Sequence, residues 1–385
     1  MIGITKLLCG VEAPGDDLRY RGDGLVHRRP VVVWNMTRRC NLHCVHCYAE
    51  AVDTASPNEL STAEGKALID SLAAYGVPVI LFSGGEPLTR PDLLELTAYA
   101  SSKGLRSTYS PNGTLITPSL AREMKKASIT YVGVSLDGLE ATNDRFRGKK
   151  GAFRDALQGI RNCREAGVKV GLRFTITKYN RPEIPSILDL VESEDIPRVC
   201  FYHLVYSGRG SKMIEADLTH QEARETADII MERAADFHRR GLSKEILTVD
   251  NYADGVYLYL KMKQEQPERA AEVYRFLKMN GGNNSGVGIA DIDYKGDVHP
   301  DQFWQHYSFG NVRKRSFGEI WEDTSDPVMR GLKNRRAMVK GRCARCQFLE
   351  LCGGNFRVRA EAVYGDIWAQ DPACYLTDQE IGLTQ

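Results

Sequence analysis

Three cysteines lie close together in the first part of the chain, at Cys40, Cys44 and Cys47. Three thiolates in one short loop can bind three irons of a [4Fe–4S] cluster and leave the fourth iron without a protein ligand. Structural zinc is the alternative, because it takes four ligands and His43 or His46 would supply the fourth. The spacing therefore indicates a metal centre and leaves cluster and zinc both open.

A second group of cysteines lies near the other end of the chain, and four thiolates can complete the coordination of one [4Fe–4S] cluster. The group is Cys343, Cys346, Cys352 and Cys374. Structural zinc would be satisfied by the same four thiolates. The other three cysteines stand alone and are interpreted as buried thiols. They are Cys9, Cys163 and Cys200.

Short apolar segments alternate with helix-like segments between residues 31 and 206. These elements must position the first group of cysteines, which lies among them. The predicted strands are Val31–Asn35, Val77–Phe82, Leu105–Ser110, Thr130–Leu136, Val168–Ile176 and Arg198–Tyr206. One predicted helix begins with Ser61 and Glu64 as a capping box and ends near Gly76, and another begins with Pro91 and ends before Gly104; the others cover about 117–127, 151–166 and 183–193. Six β–α units predict a parallel α/β sheet, open or closed into a partial barrel, with chemistry in the loops after the strands.

Both of the first two predicted strands end in a motif. The three-cysteine loop follows the first strand, and the second ends in the sequence Gly84-Gly85-Glu86-Pro87. Paired glycines let backbone amides approach a ligand closely, and a glutamate can pair with an ammonium group. An ordinary Gly-Pro turn is the alternative for this sequence taken alone.

Together the two motifs resemble the radical S-adenosylmethionine (SAM) superfamily, over about residues 31–210. The resemblance implies a partial (β/α)6 TIM-like barrel with a [4Fe–4S] cluster on the three cysteines and SAM on its open iron. Reductive SAM cleavage would then give a carbon radical. The SAM-binding residues that the resemblance implies are Gly84, Gly85, Glu86, Asn112, Ser135, Asp137, Arg147 and Arg173.

The C-terminal region resembles the SPASM/twitch family of auxiliary-cluster domains. The matching core is Cys343-x2-Cys346-x5-Cys352, and the resemblance implies Cys374 as the fourth ligand. The full SPASM pattern has further cysteines, and Asp301 stands where one would be expected. The resemblance therefore implies one auxiliary cluster, and two [4Fe–4S] clusters plus SAM in total.

These resemblances divide the chain into four parts. We expect an N-terminal extension over 1–30, a barrel over 31–210, a helical connecting region over 211–280 and an auxiliary cluster domain over 281–385. Helices are predicted over about 218–240 and 266–279 in the connecting region, and a hairpin is predicted around Tyr294–Asp297 in the C-terminal part.

Two groups within the superfamily compete for this chain. Peptide-modifying members usually carry an N-terminal leader-peptide domain, for which about thirty residues leave little room. The sequences PVVVWNMTRRCNLHCVHCYAEA and CGGNFRVRAEAVYGDIWAQDPACYLTDQEIG instead resemble the tetrapyrrole-modifying group. That resemblance implies removal of two acetate side chains from didecarboxysiroheme, giving iron-coproporphyrin III in the siroheme-dependent haem pathway. A haem d1 enzyme acting on the same tetrapyrrole, or a peptide maturase, is the alternative.

A tetrapyrrole substrate would need cations for its carboxylates and an axial ligand for its iron. The candidate cations are Arg38, Arg39, Arg357 and Arg359, and the candidate axial ligands are His299, then His203 or His306. For each histidine, the alternative is a structural or surface role. For Arg357 and Arg359, the alternative is that they lie on a solvated strand face.

The composition limits the partners. The 385 residues include 51 Lys plus Arg and 50 Asp plus Glu, a net charge of +1, which argues against nucleic acid or an acidic membrane as the main partner. The sequence has neither an apolar run of about 18–20 residues nor a signal-peptide pattern, so we expect a cytoplasmic protein. Besides the iron tetrapyrrole, the expected partner is an electron donor such as ferredoxin or flavodoxin.

Overall fold

A ten-stranded sheet runs through the protein, which a computed structural model describes over residues 1–20 and 29–383. The strands are β1 Ile2–Gly3, β2 Val31–Asn35, β3 Val79–Ser83, β4 Arg106–Tyr109, β5 Tyr131–Ser135, β6 Val170–Ile176, β7 Arg198–His203, β8 Glu245–Val249, β9 Ile289–Ile292 and β10 Val298–His299. Their order in the sheet is β1-β8-β7-β6-β5-β4-β3-β2-β9-β10.

The six predicted strands form the parallel centre of this sheet, from β2 to β7, each beside the next in sequence. Strand β8 continues the parallel order on one side and β9 on the other, while β1 and β10 are antiparallel at the two edges. This βα architecture is a partial TIM-type barrel, as the resemblance implied. The carboxyl ends of its strands therefore meet at one end of the sheet.

Helices lie between and beyond the strands. They are α1 Ile4–Cys9, α2 Asp16–Tyr20, α3 Thr62–Tyr75, α4 Leu93–Ser102, α5 Pro118–Lys126, α6 Glu140–Arg147, α7 Ala152–Glu165, α8 Ile184–Ser193, α9 His220–Arg239, α10 Ala253–Glu265, α11 Pro267–Asn280, α12 Phe317–Glu322, α13 Pro327–Lys333, α14 Arg335–Met338, α15 Gly341–Ala344, α16 Leu349–Cys352 and α17 Arg357–Tyr364. None of the helices in the described part of the chain is long and apolar enough to cross a bilayer.

The predicted helix ends are largely confirmed. Ser61 and Glu64 form a capping box at the start of α3, which ends at Gly76 in a left-handed conformation. The prediction for Pro91 is wrong by two residues, because α4 begins at Leu93 after Asp92.

The two faces of the central strands differ in what they contact. Val32 and Trp34 of β2 belong to the main hydrophobic core that the sheet shares with its helices. Side chains alternate along a strand, so Val33 and Asn35 lie on the opposite, inner face. The inner face is where the barrel can enclose a ligand.

The connecting region is not simply helical, which corrects that prediction. Besides α9 and α11 it contains strand β8, which pairs with β7, and helix α10, which the sequence pattern did not indicate. The expected N-terminal extension contributes β1, which pairs with β8, and α1. Residues 21–28 of that extension lie outside the described residues.

The C-terminal region shares the barrel sheet. Strand β9 pairs with β2 in parallel register, with Val33 opposite Asp291. The predicted hairpin is confirmed, because β9 turns through residues 293–297 into antiparallel β10. Residues beside the first strand therefore come from both ends of the chain.

Candidate active site

The three-cysteine loop leaves the carboxyl end of β2 and is held by its own backbone. The amide of Cys40 donates to the carbonyl of Val52 (2.6 Å). Amides also approach two of the sulfurs, from Leu42 to the Cys40 sulfur (3.4 Å) and from Ala51 to the Cys47 sulfur (3.5 Å). Thiols that face N–H donors suit an iron–sulfur cluster, whose sulfurs accept such bonds.

Helix α6 places a cation beside the remaining sulfur of the loop, that of Cys44. The Arg147 guanidinium is buried and its Nη1 lies 3.6 Å from the sulfur of Cys44. Its Nη2 forms an ion pair with Asp137, which follows β5 and is completely buried. The resemblance implied that Arg147 binds SAM, which stays a prediction; in this structure its partner is the carboxylate of Asp137.

Asp137 joins the cation to a histidine of the cysteine loop. One carboxylate oxygen lies 3.2 Å from Nε2 of His46, and the other accepts from the amide of Thr175 (2.7 Å). Burial alone would raise the pKa of Asp137, but Arg147 and His46 outweigh it and hold the pKa at about 2. Its oxygens are engaged within the protein, and binding of SAM by Asp137 stays a prediction.

The zinc alternative for this loop is not supported. His46 points its Nε2 to Asp137, and His43 is exposed. Within the described residues, no three His, Cys, Asp or Glu side chains converge on the position of a single metal ion.

The Gly-Gly-Glu-Pro sequence fastens the loop after β3 to the cysteine loop. The amides of Gly85 and Glu86 donate to the carbonyls of Thr37 and Arg39, at 2.7 Å each. An added Cβ on Gly85 would overlap the Arg39 carbonyl, and one on Gly84 would overlap that of Thr37. The glycines are therefore needed for contact between two loops.

Glu86 has partners within the protein, and its predicted role of binding an ammonium group is not tested by them. Its side chain is completely buried, and its carboxylate accepts from the amides of Asn112 (2.7 Å) and Leu88 (3.1 Å). Burial raises the pKa of Glu86 to about 7, although these two amides and Arg147 oppose the rise. In this structure Glu86 connects the ends of β3 and β4.

Asn112, after β4, does reach the cysteine loop. Its side-chain amide donates to the Asn41 side chain (2.8 Å) and lies 3.9 Å from the sulfur of Cys40. Its carbonyl oxygen accepts from Thr114. The residue therefore stands beside the cluster-binding position that the sequence predicts.

Ser135 and Arg173 lie side by side on the inner face, where a ligand in the barrel would contact them. The two are paired in register between β5 and β6, and both are half-buried. Gly133 makes room for the Arg173 side chain, because a Cβ there would overlap the guanidinium. Arg173 donates to Ser110 and lies over the Tyr202 ring, with 5.9 Å from its guanidinium carbon to the centroid.

The four C-terminal cysteines converge on one cavity. It is lined by Cys343, Cys346, Cys352 and Cys374, together with side chains that include Ala253, Phe348 and Leu376. The amide of Phe348 approaches the sulfur of Cys346 (3.4 Å). Four thiols around one apolar cavity suit the complete coordination of a cluster.

The two arginines after this cysteine group have structural contacts, and the alternative of a solvated strand face is wrong for both. Arg357 and Arg359 lie on α17 and are completely buried, so neither is on a solvated strand face. Arg359 pairs with Asp371 (2.8 and 3.0 Å) and donates to the carbonyls of Leu204 and Asp250. Arg357 donates to backbone carbonyls, including that of Ile367 (3.2 Å). All three nitrogens of the Arg359 guanidinium therefore donate to partners within the protein.

The two other candidate cations border the cysteine loop. Arg38 donates to the carbonyl of Glu50 (2.8 Å), and Arg39 is exposed.

The three candidate axial histidines also have protein partners. Nδ1 of His299 lies 2.6 Å from the Tyr307 carbonyl, and its buried Nε2 is 4.0 Å from Asp293. The ring is therefore buried, but its Nε2 has no hydrogen-bond partner among the described residues, and the role of axial ligand stays a prediction for His299. Nε2 of His203 bonds Asp254 (2.9 Å), and that of His306 contacts Glu361 (3.1 Å).

His203 lies on the outer face of the sheet, the face that packs against the helices. It shares a face of β7 with Phe201, which belongs to the outer core. Its ring therefore does not face the inner side of the sheet, and its role as an iron ligand stays a prediction.

One polar chain on the inner face was missed by sequence reasoning. Asn35 donates to Asp291 (2.9 Å) and accepts from the Tyr48 hydroxyl (3.1 Å), which also contacts Ser83 (3.1 Å). Asp291 is completely buried, and burial raises its pKa well above the ordinary value. In the sequence these residues are visible only as polar residues in or at the ends of apolar segments. That pattern does not indicate that β9 pairs with β2.

Comparison with known protein families gives two matches. Residues 34–191 match the radical SAM superfamily, and residues 285–347 match an iron–sulfur cluster-binding domain, SPASM. The second match contains Cys343 and Cys346. A solved structure described as native anSMEcpe with bound AdoMet has the same fold, with a TM-score of 0.69, 16% identity, and coverage of 90% of this chain and 93% of that chain.

Two curated relatives are more similar in sequence. A protein of Methanosarcina barkeri, named Fe-coproporphyrin III synthase, is 60% identical over 99% of this chain and 99% of its own. A protein of Dinoroseobacter shibae, named pre-heme d1 synthase, is 43% identical over 92% of this chain and 88% of its own.

The barrel, its three-cysteine loop and these matches define a radical SAM enzyme with a C-terminal SPASM domain. Within that superfamily the chain belongs to the tetrapyrrole-modifying group that contains these two curated relatives. Its cofactors are accordingly a [4Fe–4S] cluster with SAM, and further iron–sulfur binding in the SPASM domain.

Proposed function

We propose that this protein removes the two acetate side chains of didecarboxysiroheme and so forms iron-coproporphyrin III in haem biosynthesis. The observation that carries the proposal is the 60% identity, over 99% of both chains, to a relative named Fe-coproporphyrin III synthase. The relative named pre-heme d1 synthase is more distant at 43%, so action in haem d1 biosynthesis is the second candidate.

The three-cysteine loop is where we place the first cluster and SAM. When bound, they supply one-electron reductive cleavage of SAM. Cys40, Cys44 and Cys47 would hold the cluster, and Asn112 and Arg147 lie within 4 Å of two of their sulfurs. The buried Asp137 fixes Arg147 in that position.

The inner face of the barrel is where we place the substrate and the rest of SAM. Arg173 is a half-buried cation there, and its Nε has no hydrogen-bond partner among the described residues. A guanidinium in a confined site is suited to a carboxylate of either ligand. Tyr202 beside it offers an aromatic face.

Two further assignments complete the proposal. Cys343, Cys346, Cys352 and Cys374 would bind the auxiliary cluster, since all four line one cavity. A ferredoxin or flavodoxin would supply the electron, because reductive cleavage consumes one that no side chain can provide.

Turnover tests the substrate directly. The anaerobically reconstituted protein is incubated with didecarboxysiroheme, SAM and dithionite, and products are identified by mass spectrometry. We expect an iron porphyrin lacking both acetate groups, and none from Cys44→Ala. Unchanged substrate would contradict the proposal, and loss of other side chains with both acetates retained would favour the second candidate.

A further inference from the structure

The cysteine loop reaches the protein surface at one point. Val45, between Cys44 and Cys47, is 41% exposed although the Cys44 side chain is buried. Two backbone hydrogen bonds join this point to the end of α6, from the His43 amide to the Arg147 carbonyl (3.1 Å) and from the Val45 amide to the Phe146 carbonyl (2.9 Å). The end of α6 and the turn after it therefore border the exposed part of the loop.

That border is rich in free positive charge. Arg145, Lys149 and Lys150 are all exposed, and no ion pair or side-chain hydrogen bond joins them to any residue in the described ranges. We call these three residues the basic rim. Gly148, between them, packs against the His43 carbonyl, which keeps the rim next to the loop.

The acidic residues of the same segment do not cancel this charge. Asp144 turns inward, where its carboxylate accepts from the amides of Gly151 (2.5 Å) and Phe153 (2.8 Å). Glu140 is paired with Arg154 (2.9 Å). The exposed acidic residues of the cysteine loop, Glu50 and Asp53, come after Cys47 in the sequence, outside the segment between Cys44 and Cys47 that contains Val45.

We propose that Val45 and the basic rim form the docking surface for an acidic one-electron carrier protein. The inference rests on the proposed function, which places a cluster on Cys44. Redox encounters use small interfaces, and complementary charge steers them and sets their rate. An exposed apolar residue next to Cys44, bordered by unpaired cations, has both properties and is adjacent to a predicted cluster ligand.

The step on this surface is a single electron transfer. The reduced carrier loses one electron and the cluster on the cysteine loop gains it, with no bond made or broken and no proton moved. A flavin carrier and an iron–sulfur carrier share the necessary chemistry, an acidic surface around a low-potential centre. The experiment below separates them by using one of each.

The test variant is Arg145→Glu with Lys149→Glu and Lys150→Glu, and a second variant has Gln at the same positions. A matched control carries Lys125→Glu, Lys126→Glu and Lys169→Glu, three exposed lysines near the amino ends of the strands, opposite the cysteine loop. Each protein is reconstituted, and its iron content is compared with that of the wild type. The Kd for an oxidised flavodoxin and an oxidised two-cluster ferredoxin is then measured at low salt.

We expect the Glu variant to bind at least one carrier about tenfold or more weakly at about 50 mM salt, with a much smaller difference near 0.5 M salt. The Gln variant should lie between it and the wild type, and the control should stay within about twofold. Bleaching of the cluster absorbance by the reduced carrier should slow in the same order. The carrier that responds identifies the class of donor.

Equal affinity of wild type and Glu variant for both carriers would overturn the proposal, as would an equal loss in the control. Dithionite distinguishes this failure from failure of the proposed function. If wild type forms 5′-deoxyadenosine with dithionite but the rim variants bind both carriers normally, only the docking surface is wrong. Absence of 5′-deoxyadenosine with dithionite would remove the radical SAM chemistry itself.

Discussion

Asp137 shows how much a single buried carboxylate can organise. It contacts Arg147 and His46, which lie on α6 and in the cysteine loop, and it also accepts an amide of β6. Removing one member of a buried ion pair leaves the other uncompensated, which is costly in a place without water. We therefore regard Asp137 as a residue that positions Arg147 against Cys44.

Asp137→Asn should lower the free energy of unfolding by about 2–4 kcal/mol at neutral pH, since it leaves Arg147 unpaired. The depressed pKa of Asp137, about 2 against an ordinary 3.8, means that its stabilisation is present above about pH 4 and is lost as the pH falls towards 2. The wild-type advantage should shrink over that window. Thermal unfolding of the anaerobically purified proteins measures it, with Asp53→Asn, an exposed carboxylate, as the control. Equal unfolding temperatures for Asp137→Asn and wild type would refute the account.

The loops after β2 and β3 act as one unit at the end of the sheet. Gly84 and Gly85 allow the second loop to lie directly on the first, and two amide–carbonyl bonds hold them together. A side chain at either position would separate the loops and move the cysteines. The geometry of the cluster site therefore depends on this contact between elements as much as on the cysteines.

Gly85→Ala should consequently impair cluster assembly, because its Cβ would overlap the Arg39 carbonyl and the backbone must move. We expect iron content to fall by roughly the share of the first cluster, about half of the total. Gly167→Ala is the matched control, since Gly167 has open space around it and only its positive φ of 69° is strained. Full iron content in Gly85→Ala would show that the two loops tolerate separation.

The sequence predicted the elements of the barrel well and their distant pairings poorly. Strands such as Val31–Asn35 were correct because an apolar segment with polar ends is a local pattern. Strand β9 pairs with β2 across more than 250 residues, and the local pattern carries no sign of such a partner. Asp291 was missed for the same reason.

Residue roles were harder to predict than positions. Glu86 and Asp137 do lie at the strand ends, yet their carboxylates turn to partners inside the protein. A solvated strand face was the alternative for Arg359, whereas Asp371 and two carbonyls allow it to be buried. A sequence motif gives the position of a side chain along a strand, and its hydrogen bonds depend on tertiary neighbours.

The molecule as a whole holds its two cysteine groups in separate places joined by one sheet. The cavity of the C-terminal group has no described lining residue from the three-cysteine loop. Strand β9, from the C-terminal region, nevertheless lies directly beside β2, which leads into that loop. The two predicted clusters would therefore be bound by separate sets of cysteines, while the regions that contain those cysteines share one sheet.

A variant with Cys40, Cys44 and Cys47 all replaced by Ala should therefore still bind iron at the C-terminal group. We expect about four iron and four sulfide per chain after reconstitution, against about eight of each in the wild type. Iron and acid-labile sulfide analysis measures both. Zinc without sulfide in this variant would show that the C-terminal cysteines form a structural zinc site.

The central claim is that radical chemistry starts at the three-cysteine loop, and formation of 5′-deoxyadenosine tests it most directly. Wild type, Cys44→Ala and Cys163→Ala are each reconstituted and given SAM and dithionite, Cys163 being a buried cysteine outside both groups. We predict 5′-deoxyadenosine from the wild type and the Cys163 variant, and none above background from Cys44→Ala, whose cluster would lose one of only three thiolates. Substantial 5′-deoxyadenosine from the Cys44→Ala protein would contradict the account.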